Sequence, residues 1–168
     1  MDEITPPGAA EFKSLVTDLA LKLMGRGWMM ATAESCTGGW IAKCCTDRAG
    51  SSAWFERGFV TYSNAAKVEM LGVEADLLDA AGAVSREVAL QMARGARDKA
   101  DVDVAVAVTG IAGPDGGTED KPLGTVWFGW SINANDEAEM MQFRGDRDAV
   151  RRQTVAYALQ GLIERLQV

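Results

Sequence analysis

The chain has 168 residues, 48% of them hydrophobic, which suits one domain over 1–168 burying roughly 70% of the surface its unfolded form would expose. With 17 basic against 24 acidic side chains the formal net charge is −7; this is the wrong sign for gripping a phosphate backbone, so nucleic acid is not expected as a partner and any nucleotide must be held locally. Histidine is absent, which excludes a Ser-His-Asp triad, a Cys-His dyad and histidine-ligated zinc and leaves lysine, carboxylate or tyrosine as the only side chains for a general base.

Residues 1–8 read as a polar, Pro-containing lead-in, acidic at Met1-Asp2-Glu3 where a signal peptide would be basic. No window approaches the ~18 to 20 consecutive apolar residues of a membrane span, so a cytoplasmic protein without membrane contact is expected. From Ala9 to Met24, Phe12, Leu15, Val16, Leu19 and Leu23 recur at helical spacing before Gly25 and Gly27. Trp28 to Ala33 reads as a buried strand, Ser35 to Gly39 as a turn, and Trp40 to Thr46 as a helix, which puts Ser35 at a strand-to-helix junction. A loop over Ala49 to Arg57 precedes a strand from Gly58 to Tyr62 and a short helix from Asn64 to Leu71 that carries Lys67. Ser85 is placed to cap a helix reaching Ala100, with Val88, Ala89, Met92, Ala93 and Ala96 on one face.

Asp103 to Thr109 is nearly all Val and Ala, as in a strand covered on both faces. It runs into a Gly- and Pro-rich loop from Gly110 to Gly117. Strands from Gly124 to Ile132 and Ala138 to Phe143 are joined by so short a turn, Asn133 to Asp136, that they must pair antiparallel. Asp146 opens a last helix striped by Val150, Val155, Leu159, Leu162, Ile163 and Leu166. The pattern predicts a three-layer α/β/α sandwich around a mixed sheet of about five strands, one antiparallel.

Chemistry concentrates in Ala33-Glu34-Ser35-Cys36-Thr37-Gly38-Gly39. A hydroxyl there faces backbone N–H groups, around Thr37, Gly38 and Gly39, and a helix N-terminus that can hold an oxyanion or a phosphate. The bland alternative is that Ser35 and Thr37 only cap the helix. Cys36 is a rival nucleophile whose thiolate, with no histidine, would depend on the helix terminus alone; Cys44 and Cys45 read as reduced packing residues. A lysine base has to shed its proton near neutrality, ~3 units below its free value. Lys67, among Ala65, Ala66 and Val68, suits the required burial better than Lys99 or Lys121. Lys43 lies eight residues after Ser35, about two helical turns along, and points away unless the chain bends.

The Gly110 to Gly117 loop fits neither the Walker nor the dinucleotide pattern; it can approach a ligand through bare backbone or be a plain turn. Arg147, Arg151 and Arg152 crowd the start of the last helix, where the macrodipole disfavours cations. Arg147 and Arg151, four apart, share a face as a phosphate clamp requires; pairing with Asp146 and Asp148 is the alternative.

Taken in order, Ala33 to Gly39, Ser51-Ser52-Ala53-Trp54-Phe55, Val60-Thr61-Tyr62-Ser63-Asn64 with Lys67, Gly110 to Gly117, and Gly145-Asp146-Arg147 resemble the CinA C-terminal family, and within it the stand-alone nicotinamide-nucleotide amidohydrolases. The resemblance runs from about residue 9 to 166. It implies a three-layer sandwich on a five-stranded mixed sheet and hydrolysis of nicotinamide mononucleotide to nicotinate mononucleotide and ammonia, in pyridine-nucleotide salvage. By that likeness Ser35 is the nucleophile and Lys67 its partner, with Tyr62, Thr109 and Arg151 in the site. It implies no cofactor and no metal, a small-molecule substrate as partner, and a homo-oligomer, with a dimer as the simplest case. A non-catalytic module that holds a pyridine nucleotide or other phosphorylated ligand is the alternative reading.

Overall fold

The computed structural model describes residues 4–167; the first three residues of the expected lead-in lie outside the described residues. In chain order the elements are α1 (Ala9–Arg26), β1 (Met30–Glu34), α2 (Trp40–Thr46), a 3₁₀ turn (Ser51–Ala53), β2 (Phe55–Val60), α3 (Asn64–Leu71), α4 (Ala75–Ala81), α5 (Arg86–Ala100), β3 (Val104–Gly110), β4 (Thr125–Ile132), β5 (Asn135–Gln142) and α6 (Arg147–Arg165). The sheet order is β2-β1-β3-β4-β5, with β1 parallel to β2 and β3, and β4 antiparallel to both β3 and β5.

Three features differ from the sequence reading. The sheet has two antiparallel ladders rather than the hairpin alone, because β4 runs against both neighbours; the long segment between β3 and β4 fixes no direction by its length. It folds straight back, with the Ile111 N–H donating to the Thr125 carbonyl and the Gly124 N–H to the Ile111 carbonyl. The expected loop to Arg57 contains the 3₁₀ turn and the first residues of β2. Helix α4 was not expected; it is one short apolar-and-acidic stretch with no side-chain cap.

The layers follow from the alternation of side chains along β3. Val104, Val106 and Val108 point into one core with residues of α1, α2 and α6, while Ala105 and Ala107 point into the other with Val88, Met92, Ala93 and Ala96 of α5. The alanine face lets α5 lie close to the sheet. At Gly129 of β4 the approach is so tight that a Cβ would collide with the Ala89 carbonyl. No helix among the described residues is long and apolar enough to cross a membrane.

The topology also sets where a ligand can reach. Helix α2 follows β1 onto one face and α3 to α5 follow β2 onto the other. A crevice therefore opens outside the carboxyl ends of the parallel strands, the usual ligand position in such sheets. Ser35 directly follows β1, and Thr109 and Gly110 close β3.

Candidate active site

Ser35 is held by both backbone ends of its turn. Its N–H donates to the Val108 carbonyl of the neighbouring strand at 3.1 Å, and its own carbonyl accepts from the Gly38 N–H at 3.2 Å. Gly38 and Gly39 sit at φ 60° and 102°, values that glycine adopts without steric cost, and they swing the chain from strand to helix in two residues.

The hydroxyl is free of capping duty because another group performs it. The Glu34 carboxylate, 1% exposed, accepts from Thr37 Oγ1 at 2.6 Å, the Ile41 N–H at 2.8 Å and the Ala42 N–H at 3.0 Å. An anion at a helix N-terminus satisfies orphan N–H groups and meets the positive end of the dipole. Burial pushes the Glu34 carboxyl above the usual carboxylate value, against these hydrogen bonds, which pull it down. The sequence reading gave Glu34 no role; the visible signal was an acid next to the hydroxyl and just before a helix whose own N-cap, Gly39, carries no side chain. Glu34→Gln keeps the shape but turns a donor toward one of the N–H groups. We expect it to lower stability by about 1–3 kcal/mol, read by denaturant unfolding; unchanged stability would mean that the carboxyl is not needed as a double acceptor.

Lys67 comes to Ser35 from the opposite layer. Ser63 caps α3 through the Ala66 N–H, and the fourth residue of the helix drops its side chain into the crevice, 1% exposed. Its Nζ lies 3.0 Å from Ser35 Oγ, 2.9 Å from the Thr61 carbonyl and 3.1 Å from the Tyr62 carbonyl. A neutral amine has two N–H bonds and one lone pair. Two carbonyls and a hydroxyl can take three N–H donors from an ammonium; when the amine is neutral, the two carbonyls take its N–H groups and its lone pair is left for the hydroxyl proton. No carboxylate pairs with Lys67 among the described salt bridges, and burial lowers its pKa below the ordinary 10.5. The other groups weighed from the sequence sit differently: Lys43 is exposed and paired with Asp47 at 2.6 Å, and burial pushes the Cys36 thiol up to about 12. Cys44 and Cys45 are buried free thiols.

A cavity of about 180 Å³ opens on the pair, lined among others by Tyr62, Asn64, Val84, Thr109, Gly110 and Arg147. Thr109 Oγ1 donates to the Ala83 carbonyl at 2.9 Å, fixing the loop before α5 as one wall. Arg147 donates to the Gly113 carbonyl at 2.8 Å and to the Tyr62 hydroxyl at 3.3 Å, so it closes the mouth. Tyr62 is 64% exposed; what it presents to Lys67 is its carbonyl. Asn64 and Val84 were not singled out from the sequence.

Four expected site residues do not line this cavity. The Gly38 N–H is spent on the Ser35 carbonyl, and the Gly39 backbone lies near the Glu34 carboxyl and helps lower its pKa. The Thr37 side chain is turned to Glu34. Arg151 reaches the Cys36 and Thr37 carbonyls at 3.0 and 3.1 Å and stacks on Trp40 at 5.2 Å. The clamp expected of Arg147 and Arg151 is thus divided, one at the mouth and one behind the turn. Arg152 pairs with Asp148 at 2.7 Å. A larger cavity, about 910 Å³ between α1 and α2, lies behind α2 and contains no comparable hydroxyl–amine pair.

The model of the CinA C-terminal domain matches residues 12–166. The chain belongs to the CinA C-terminal domain family. It is similar to nicotinamide-nucleotide amidohydrolase PncC of Escherichia coli strain K12, 55% identical over 154 residues covering 91% of this chain and 93% of that one. The Pseudomonas putida protein of the same name is 52% identical over 151 residues, 90% of this chain and 94% of the other. Among CinA-type structures, that of the competence/damage inducible protein CihA from Agrobacterium tumefaciens superposes with a TM-score of 0.90 at 44% identity, covering 96% and 98% of the two chains. The five-stranded mixed sheet with helices on both faces is thus that of the CinA superfamily.

Proposed function

We propose that this chain hydrolyses the carboxamide of nicotinamide mononucleotide to nicotinate mononucleotide and ammonia, in pyridine-nucleotide salvage, with Ser35 as nucleophile and Lys67 as general base. The observation that carries the reading is the buried 3.0 Å contact between Lys67 Nζ and Ser35 Oγ in a chain similar to nicotinamide-nucleotide amidohydrolases over nearly its whole length. The cavity, at about 180 Å³, is smaller than the roughly 300–1,000 Å³ of pockets that enclose whole ligands. It suits the nicotinamide head, with Val84 and Ala112 as apolar wall, while the ribose and phosphate extend past Tyr62 and Asn64 toward Arg147.

Lys67 takes the Ser35 proton as Oγ bonds to the carboxamide carbon, and the carbonyl electron pair moves onto oxygen. Collapse of the tetrahedral adduct breaks the C–N bond, and Lys67 returns the proton to the departing nitrogen, which leaves as ammonia. Water, its proton taken by the same amine, then cleaves the ester and frees Ser35. The buried free thiols favour a reducing compartment, and we place the protein in the cytoplasm. Val60, Val68 and Met70, exposed along the segment from β2 to α3, support a homo-oligomer.

The test is ammonia release from nicotinamide mononucleotide by purified protein with a chelator present. Tight binding without release would favour the binding-module reading instead. Because only the neutral amine can act, kcat/KM should rise with pH along a limb whose midpoint lies below the 10.5 of ordinary lysine. Activity that is flat with pH across this limb, or a midpoint at or above 10.5, removes Lys67 as the base.

A further inference from the structure

The turn that presents Ser35 is clasped from behind. Ser35 to Gly38 form a four-residue turn closed by the 3.2 Å bond from the Gly38 N–H to the Ser35 carbonyl. In such a turn the N–H of the third residue faces the side chain of the first, the arrangement that lets a serine hydroxyl bond its own backbone two residues on. Here the third residue is Thr37, whose side chain turns to Glu34 and which does not itself line the cavity, whereas Ser35 and Cys36 directly before it do. Thr37 is 1% exposed, and its N–H donates to no backbone or side-chain acceptor among the described residues. A buried N–H without an acceptor is rare; beside a nucleophile it is a donor held ready for charge that forms only during reaction.

What orients that N–H is the other end of its peptide. The Cys36–Thr37 bond is trans, so its N–H points opposite to its carbonyl. That carbonyl is gripped by Arg151 Nε at 3.0 Å, and the next one, of Thr37, by Nη2 at 3.1 Å. The guanidinium is itself fixed by its stacking on Trp40. A planar fork bonded to two successive carbonyls holds both peptide planes against a flip.

We propose that Arg151 is a positioning residue: by holding the Cys36 and Thr37 carbonyls it keeps the Thr37 N–H turned to the Ser35 hydroxyl as the oxyanion donor, and it does not bind the substrate phosphate. This rests on Ser35 being the nucleophile of the proposed hydrolysis. It separates two of the arginines of α6 by task, with Arg147 at the cavity mouth and Arg151 behind the turn.

Arg151→Met keeps the stem against Trp40 and removes both donors. On nicotinamide mononucleotide its kcat should fall roughly 10²- to 10³-fold, the range for one oxyanion donor, with KM little changed. Guanidinium ion added to Arg151→Ala should restore part of the rate. Arg152→Ala, which removes the other guanidinium stacked on Trp40, should keep kcat. A second readout is independent of the natural substrate: a fluorophosphonate labels an activated serine when Oγ bonds phosphorus and fluoride leaves, with the phosphoryl oxygen in the oxyanion position. Labelling of Ser35, followed by mass spectrometry, should slow in Arg151→Met to a similar degree.

A raised KM with kcat retained would make Arg151 a substrate ligand and overturn the proposal, as would unchanged labelling. Wild-type protein that labels at Ser35 but releases no ammonia overturns only the choice of substrate, and the labelling rates still decide the role of Arg151. Wild-type protein that does not label removes Ser35 and the proposal together. Should Arg151→Met fail to fold, Arg151→Lys, with its charge and a single donor, takes its place and is expected to fall between wild type and the guanidinium-rescued variant.

Discussion

Ser35→Ala should reduce ammonia release from nicotinamide mononucleotide by roughly 10⁴- to 10⁶-fold, the scale on which removal of one member of a nucleophile–base pair acts in hydrolases. Stability should barely move. The hydroxyl makes one hydrogen bond, to Lys67, worth about 1 kcal/mol net, so the melting temperature should shift by roughly 2–4 °C. Lys67→Arg makes the complementary test. Its guanidinium stays protonated at any pH the protein survives, so it cannot accept the serine proton, and it must fit where a smaller amine sits between the Thr61 and Tyr62 carbonyls. A folded Lys67→Arg protein should lose activity on the scale of Ser35→Ala. Turnover near the wild-type rate in either variant would end the hydrolytic scheme.

Gly95→Ala should damage stability and activity together, although helix propensity alone argues the opposite. Alanine is better than glycine inside a helix by about 1 kcal/mol. At this point of α5, however, a Cβ would run into the Leu71 carbonyl oxygen, and backbone cannot step aside by changing rotamer. Overpacking of this kind costs about 1–3 kcal/mol or more, so the steric term wins, and a fall in melting temperature of several degrees is expected at roughly 2–4 °C per kcal/mol. Leu71 ends α3, one turn beyond Lys67. Pushing it away moves the amine, and a displacement of about 1 Å can reduce the rate 10²-fold. Gly25→Ala in α1, where a Cβ meets nothing within 4 Å, should instead be neutral or gain a few tenths of a kcal/mol. Equal outcomes at the two positions would show that the approach of α3 to α5 does not govern the site.

Long periodic segments were legible in the sequence: α1, α5 and α6 carry apolar faces that bury against the sheet as their spacing predicts, and the Val/Ala run of β3 is covered on both sides. Short or edge elements were not. Strand β2 is a sheet edge with mostly exposed residues, so it lacks the alternation that marks a half-buried strand, and α4 is too short to set up a period. At the site, the glycines that turn the chain after Ser35 marked its hydroxyl as a candidate, with helix capping as the alternative; in the structure Glu34 takes the capping role. Lys67 was favoured among the lysines for its apolar neighbours Ala65, Ala66 and Val68 and then by the family likeness, but its burial is a tertiary property that the sequence does not show. Glu34 escaped notice because it caps α2 from seven positions before Ile41, outside the local window in which a cap is sought. Arg147 and Arg151 share a helix face as their spacing requires; sequence could not reveal that one meets Gly113 and Tyr62 and the other the Cys36 and Thr37 carbonyls.

The clasp on that turn joins residues 115 positions apart in the chain. Its two carbonyls belong to a segment that leaves the ribosome before α6, the helix whose guanidinium secures them. During translation, then, a chain can already hold Ser35 behind a finished strand while the clasp is still missing, and the turn is secured only after α6 docks.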